Sequence, residues 1–480
     1  MAMAPISGLK QQLKQIAFLR YIVRKTRPIY REAVFTMNAI RSGRVFVYQR
    51  NHALSHQLRT QKIIAYRLDL PPFHDARSLM DWLDNNSVRY KTGAFCIYIP
   101  PHPEMRSLFG PILSAYPPNA GLKILKDLKS PAQAKYISKA VAPAISKTAD
   151  WISYRPMDFL RVANYMCDAG VGPRIYDLVE IQTPHNNFSA YVVQHVVGSV
   201  PTVDECETFL SRLDQPSEDQ LVPLLPGWKA HIDFRCPDCN GNLIRNEHTG
   251  KVLYIDFQAF MMRDINRHLL QITDKIRQDV HFGNTHRLRG GQYLYQSIPG
   301  LRAGKRDVDF RWNLFKQLLT KQGVSLEKSV IFDVGCNAGM MIYSALIDGA
   351  IWAVGWDKPT VAAGARKLLL SLGLTRFDIM SQDISSDTDF LSSLPENVKS
   401  SPNPILFFLA MRKHIGFPDN LKHLPFKSMV YEDHEGESLS DVKHHLKQIV
   451  DGWGLRIADM TSYTDGDSTR KRVVAILCRE

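Results

Sequence analysis

The sequence predicts an α/β unit in the C-terminal part of the chain, an α+β unit before it, and a basic amphipathic helix at the start. Three observations carry this reading. In Val330-Ile331-Phe332-Asp333-Val334-Gly335-Cys336-Asn337-Ala338-Gly339 an apolar run ends in Asp-x-Gly-x-x-x-Gly, and after a helix-length gap Ile351-Trp352-Ala353-Val354-Gly355-Trp356 ends in Asp357. Upstream, short apolar runs broken by Pro-, Gly- and Asn-rich turns alternate with helical patterns. Residues 1–50 hold ten Lys/Arg against the single acid Glu32, most of the net charge of +13.

A chain of 480 residues has room for two or three domains. We divide it into a basic segment 1–50, an α+β unit 51–285 and an α/β unit 286–480. Hydrophobic content of 45% and charged content of 22% are those of a globular protein with ample core. No apolar stretch is of membrane-spanning length, and the N-terminus lacks the h-region of a signal peptide. Seven cysteines without a regular framework point to a reducing cytoplasm, and Cys236-Pro237-Asp238-Cys239 reads as two ordinary thiols rather than half of a metal site.

In chain order, Ile6, Leu9, Leu13, Ile16, Leu19 and Ile22 recur at three- and four-residue steps, so one helical face is apolar and the rest basic, up to Pro28. Such a helix suits an anionic membrane surface, which would place the protein peripherally on the inner membrane; it equally suits docking on its own domain or another subunit. A nucleic-acid arm is disfavoured, because few aromatics interleave with the charges. Ser78–Leu83 is helical; Ala94–Ile99 and Gly121–Leu125 are strands; 131–170 is mainly helical. Ile175–Gln182 and Ser189–Val197 form two strands around Pro184-His185-Asn186-Asn187, and a helix runs near Val203–Leu213. Short strands follow at His231–Phe234 and Val252–Phe257, then a helix over 264–281 and a Gly- and Arg-rich connector over 282–310. From Asp309 onward the helix–strand rhythm continues nearly to the end, with Leu455–Met460 and Val473–Cys478 as an antiparallel last pair.

Chemically, Gly335 and Gly339 let backbone approach a ligand with no Cβ in the way, and an acid ending the next strand can grip a ribose diol. A dinucleotide fingerprint would read G-x-G-x-x-G, and this run does not. The pattern resembles motif I and the following acid of class I S-adenosylmethionine-dependent methyltransferases. The resemblance implies a Rossmann-like fold in which Asp333, Gly335, Asn337 and Gly339 hold the methionine moiety of S-adenosyl-L-methionine and Asp357 the ribose. It also implies that Asp383 contacts the adenine amine. The fourth strand, Pro404–Leu409, then leads to Arg412 and His414, which face the acceptor. A histidine satisfied by backbone is the other reading of His414.

A second constellation lies upstream. His231-Ile232-Asp233, Asn242 and Asp256-Phe257-Gln258 set an acid, an amide and a second acid on turns between strands. Phosphoryl transfer needs such a set, one carboxylate for the attacking hydroxyl, the amide and the other for Mg²⁺. These residues resemble protein-kinase-like and aminoglycoside-phosphotransferase-like enzymes. The resemblance implies ATP and Mg²⁺ as cofactors, Asn242 and Asp256 as metal ligands, Lys123 on the phosphates and His195 in the strand that carries adenine. The base is Asp233 or Asp238, since nine residues separate Asp233 from Asn242 where the family has five. No glycine-rich loop precedes Lys123. The pairing is similar to bifunctional enzymes that end O-antigen chains by phosphorylating a sugar and methylating that phosphate, which implies a hydroxyl-bearing, lipid-linked glycan as substrate. An RNA- or metabolite-modifying methyltransferase with a catalytically dead kinase-like binding domain is the alternative.

Overall fold

The computed structural model describes residues 59–71, 73, 76–92, 96–125, 156–168, 170–184, 187–214, 243–255, 294–300, 304–382, 384, 394, 396–399, 401–464 and 471–479. The expected N-terminal helix, the strand near His231 and the helix over 264–281 lie outside these residues.

The upstream part runs β1 (Ile64–Arg67), α1 (Ala76–Asn85), β2 (Lys91–Thr92), β3 (Cys96–Ile99), α2 (Pro103–Leu108), α3 (Gly110–Leu113), β4 (Ala120–Leu125), α4 (Pro156–Asp168), β5 (Ile175–Gln182), β6 (Asn187–Gln194), β7 (Gly198–Ser199), α5 (Val203–Asp214), β8 (Leu243–Asn246) and β9 (Val252–Tyr254). Its six-stranded sheet has the order β1-β5-β6-β4-β3-β2, antiparallel except for the β1–β5 edge. Residues two apart share a face in a strand. So Ile97, Ile99, Leu122, Ile124, Val179, Ile181, Ala190 and Val192 pack with Leu79, Leu83, Met105, Phe109, Ile112 and Leu113 of α1–α3 in one core. Lys123, paired across to Tyr98 and Tyr191, belongs to the opposite face. Strands β7, β8 and β9 form a small separate sheet.

The downstream part runs β10 (Leu294–Gln296), β11 (Gly304–Arg306), α6 (Val308–Lys321), β12 (Ser329–Val334), α7 (Met340–Ile347), β13 (Trp352–Trp356), α8 (Pro359–Ser371), β14 (Phe377–Met380), α9 (Glu396–Lys399), β15 (Asn403–Leu409), α10 (Arg412–Ile415), a 3₁₀ turn at Asp419–His423, β16 (Ser428–Glu432), α11 (Leu439–Trp453), β17 (Leu455–Tyr463) and β18 (Arg472–Arg479). Its seven-stranded sheet has the order β14-β13-β12-β15-β16-β18-β17. β12 to β16 are parallel, and β18 inserts antiparallel between β16 and β17. This is a doubly wound, Rossmann-like sheet, with cores on both faces. Ile331, Ile405, Phe407 and Val430 pack with α6, α7 and α8 on one side; Val330, Phe332, Leu406, Phe408 and Met429 pack with α11 on the other. Covering on both faces explains why β12 is buried throughout and is apolar apart from Ser329 and Asp333. The chain reverses its winding at β12, between β13 and β15, and ligands of such sheets lie beyond the carboxyl ends of the strands at that point.

The two parts meet through a buried carboxylate. Asp177 of β5 accepts from Gln61 Nε2 (2.9 Å), Tyr116 Oη (2.8 Å) and its neighbour Leu178 N (2.8 Å), and from Thr375 Oγ1 (3.0 Å) between α8 and β14. Arg376 Nε lies 3.5 Å away, and its guanidinium also reaches the Lys62 carbonyl. Burial pushes the Asp177 carboxyl up, against the pull of Arg376. On the adjoining surface α4 meets α8, where Asn164 Nδ2 donates to the Leu374 carbonyl at 3.0 Å.

A second buried carboxylate orders the carboxyl end of the seven-stranded sheet. Glu432, last in β16, takes Arg306 at 2.9 Å from β11, Arg311 at 2.9 Å from α6 and Arg472 at 3.5 Å from β18, plus the hydroxyl of Tyr463 from β17. Burial alone would raise its carboxyl; Arg311, Arg306 and Arg472 outweigh that and hold it down at about 2. A depressed acid stabilises the fold above its unfolded value and loses that contribution as pH falls toward the folded one. Glu432→Gln should therefore cost about 3 kcal/mol near neutral pH, with the deficit against wild type closing between about pH 4.5 and 2. Urea unfolding across that range checks it; a constant difference would show that the charge is not what binds the arginines.

Candidate active site

The loop after β12 is shaped by left-handed residues. Gly335 (φ +74°), Asn337 (φ +50°) and Gly339 (φ +74°) fold the chain tightly back before α7. Gly335 N and Cys336 N both donate to the Trp356 carbonyl, at 2.9 and 3.1 Å. A Cβ on Gly335 would sit 2.2 Å from Met411 Sδ, so the loop after β15 packs on bare backbone. Asp357, just past β13, locks the arrangement: Oδ2 accepts from Asn337 N and Oδ1 from Lys358 N, both at 2.8 Å. A carboxylate oxygen can accept more than one hydrogen bond, so a ribose hydroxyl can join these donors.

Asp333, inside β12 opposite Gly355 and Phe407, is buried, and its Oδ2 has no hydrogen-bond partner. Burial raises its carboxyl to about 7, with Asp357 adding repulsion and Arg311 pulling the other way. An unpartnered buried carboxyl at a ligand-binding strand end is an acceptor for a cation. Asp383 lies outside the described residues.

Beyond β15 and β16 a second group converges. Arg412 is clasped by Asp433 (3.0 and 3.3 Å) and Glu437 (3.3 Å), so its guanidinium braces two loops. Asp433 also accepts from Tyr431 Oη and His434 N, both at 2.7 Å. Burial alone would raise that carboxyl; hydrogen bonds from His434, Tyr431 and Arg412 hold it far below the usual carboxylate range. His414, exposed on α10, has Nε2 at 3.5 Å from His434 Nε2. Burial, then the neighbouring His434 and Lys358, lower the His414 imidazole. The sequence reading found Arg412 and His414 but not Asp433, His434 or His445. For Asp433 and His434 the signal was the acidic end of the fifth strand, residues 429–436, beside the strand that leads to His414; His445, inside α11, had none.

Upstream, Lys123 is half-buried on β4, with Nζ 3.5 Å from the Ile255 carbonyl. His195 follows β6; its Nδ1 is 2.6 Å from Tyr98 Oη and its backbone N donates to the Asn119 carbonyl at 2.9 Å. The ring is thus held by Tyr98, and burial and then Lys91 lower its pKa. Asp233, Asp238, Asn242 and Asp256 lie outside the described residues. Among the described residues no group of three or more His, Cys, Asp or Glu is arranged to hold a metal, and no helix is long and apolar enough to cross a membrane.

No family model matches the sequence and no curated protein does. Among solved structures, the chain is similar to PH1948 of Pyrococcus horikoshii, described as an RNA methyltransferase, at 14% identity over 45% of this chain and 98% of that one, TM-score 0.29. It is similar to magnesium protoporphyrin IX methyltransferase of Synechocystis with bound S-adenosylmethionine, at 15% identity over 36% and 78%, TM-score 0.26. TrmK of M. capricolum with S-adenosylhomocysteine follows at 14% over 36% and 68%, TM-score 0.27. At these scores the likenesses decide nothing about activity, and the sheet order stands on the chain's own strand register.

The Gly335 turn gives a direct test. Gly335→Ala should destabilise by about 2 kcal/mol or more, from a left-handed φ plus the clash with Met411. Met411→Ala in the same chain should recover only the clash. Denaturant unfolding of the single and double variants measures both terms; full recovery would mean the backbone there is unstrained.

Proposed function

We propose that the chain is a class I S-adenosylmethionine-dependent methyltransferase joined to an ATP-using, kinase-like phosphotransferase unit. The observation that carries the first part is the cradle between β12, β13 and β15. Asp333 supplies an unsatisfied buried carboxylate, the Gly335 loop supplies backbone that a Cβ would block, and Asp357 supplies acceptors at the end of β13. These residues fit S-adenosyl-L-methionine: Asp333 would take the α-ammonium and Asp357 the ribose hydroxyls. Bound there, the ligand supplies a methyl group on a positively charged sulfur. The chain's own part is orientation, since methyl transfer gains most from holding donor and acceptor in line.

The donor reading makes a pH-dependent prediction. Asp333 must be ionised to meet an ammonium, and in the free protein it titrates near 7. Affinity for S-adenosylhomocysteine, which carries the same ammonium, should fall up to about tenfold per pH unit below that point and level off above it. Asp333→Asn should weaken binding and flatten the profile, while Asp357→Ala should cost about 2 kcal/mol at every pH. Calorimetry from pH 5.5 to 8.5 reads both; a flat wild-type profile removes Asp333 from the site.

The phosphotransferase part is supported by Lys123. Its ammonium reaches the carbonyl of Ile255, whose successor in the sequence is Asp256. In the proposed site Lys123 holds the ATP phosphates, Asn242 and Asp256 hold Mg²⁺, and Asp233 or Asp238 takes the proton of an acceptor hydroxyl, for which the domain pairing favours a glycan. Lys123→Ala should weaken binding of a fluorescent Mg·ATP analogue at least about tenfold and leave S-adenosylhomocysteine binding intact. Equal nucleotide binding by both proteins would take Lys123 out of the site; none by wild type would leave the unit a binding module.

A further inference from the structure

The side chains beyond β15 and β16 include groups that donor binding does not use. Asp433, His434 and His414 stand in line. Asp433 Oδ1 is 3.6 Å from His434 Nδ1, and His434 Nε2 is 3.5 Å from His414 Nε2. The ring centroids of the two histidines are 5.3 Å apart. His434 Nδ1 is buried and makes no hydrogen bond, and the Asp433 carboxylate stands 3.6 Å from it. The last ring in line, His414, is exposed. Both links are slightly longer than an ordinary hydrogen bond, as catalytic contacts are before a substrate closes the site. Both histidines follow strands at the carboxyl end of the sheet, and Met411, which covers the Gly335 loop, is three residues before His414.

We infer that Asp433, His434 and His414 form a proton-accepting chain for the methyl acceptor, which is therefore a neutral hydroxyl or N–H group rather than an existing anion. This inference rests on the methyl-donor reading above. The balance is simple. The acceptor's O–H or N–H bond breaks as its electron pair forms the bond to the methyl carbon. The carbon–sulfur bond breaks with its pair on sulfur, which becomes a neutral thioether. The proton goes to His414 Nδ1, the nitrogen not facing His434. The Nε2 proton of His414 then points at His434 Nε2, and the proton on His434 Nδ1 points at Asp433. A phosphate monoester would need none of this, being largely ionised at neutral pH already. The proposal thus departs from the phosphate methylation that the domain pairing suggests.

The surroundings favour a neutral His414. Burial comes first, and a protonated His434 and Lys358, beyond β13, also disfavour its protonation; in the proton-accepting chain His434 is neutral and accepts from His414 instead. Lys413 Nζ is paired to Glu437 at 2.7 Å and Arg412 to Asp433 and Glu437. Tyr431 donates to Asp433, and His445 Nδ1 of α11 approaches the other oxygen of Asp433 at 3.6 Å. Asp433 thus stays ionised at the far end, able to offset a proton that arrives on the imidazoles. His414 is the catalytic residue of the proposal, and His434 and Asp433 are positioning residues.

The test uses the full chain with ¹⁵N-labelled histidine rings, titrated by NMR from pH 5 to 9 with saturating S-adenosylhomocysteine, the His414 signals assigned by their loss in His414→Gln. In wild type His414 should protonate below the ordinary histidine value. His434→Gln, an exchange at a partly exposed side chain, should lower it further by about half a unit or more, because the ring that accepts the His414 Nε2 proton and links it to the Asp433 charge is gone; a rise would show that His434 only repels the proton and would overturn the chain. His434→Asn serves if the glutamine variant does not fold. A His414 titration unaffected by either exchange overturns the chain. Absence of S-adenosylhomocysteine binding in wild type overturns the donor reading instead, so the two failures are distinct. Labelled methyl transfer to glucose 6-phosphate decides the acceptor class. Product methylated on phosphate at equal rates by wild type and His414→Gln overturns it; a hydroxyl-methylated product formed on the order of 100-fold more slowly by the variant supports it.

Discussion

The seven-stranded sheet is organised around the Glu432 carboxylate. One anion at the end of β16 gathers Arg306, Arg311 and Arg472 from three other elements, together with the Tyr463 hydroxyl. Breaking a buried pair by removing one partner leaves the others as uncompensated charges, which is far more costly than never burying them. So the segment carrying β11 and the start of α6 is bound to the same strand end as the antiparallel pair β17–β18. The arginines exceed their common partner in charge, and Arg311 also lowers the Asp333 carboxyl. The clamp that closes the sheet therefore tunes the proposed donor site from a distance.

Two carboxyls show how placement sets chemistry. Asp333, inside β12, and Asp433, just past β16, sit on two parallel strands of the same sheet with β15 between them, and both are buried. Asp333 has an oxygen with no partner and is pushed up to about 7. Asp433 has Arg412, Tyr431 and the His434 amide, and stays ionised under all ordinary conditions. The first is poised for a cationic ligand and the second holds its neighbours in place. Burial acts on both in the same direction; hydrogen bonds overcome it at Asp433, whereas at Asp333 the repulsion of Asp357 adds to it and Arg311 only partly offsets it.

The Asp177 junction couples the two parts differently. Gln61 reaches both Asp177 and Thr375, and the backbone nitrogen of Thr375 donates to Gln61 Oε1 at 3.1 Å. The junction lies just before β14 and near the start of β5, away from the carboxyl edge where the donor cradle sits. The hydrogen bonds of the junction satisfy polar groups that the contact would otherwise strand.

Strands covered on both faces were legible in the chain itself. Val330–Val334, Trp352–Trp356 and Pro404–Leu409 are apolar runs in which Asp333 is the one charged residue, and the Asp-x-Gly-x-x-x-Gly turn announces its own geometry because only left-handed backbone closes it. Ile175–Gln182 and the Val203 helix were readable from period alone. The parallel pair β10–β11 was not, being strands of three residues with too few side chains to show a period. Nor was the clamp: 126 residues separate Arg306 from Glu432, and pattern carries no information across such a gap. The same holds for Gln61 with Asp177 and for His414 with His434. Sequence by itself determined which segments become buried strands and where the chain must turn tightly, because these follow from hydrophobic period and backbone sterics within a few residues. Tertiary structure alone decided which charges share a site and which carboxyl is left without a partner, because electrostatics depends on distance through space, and the fold sets that distance.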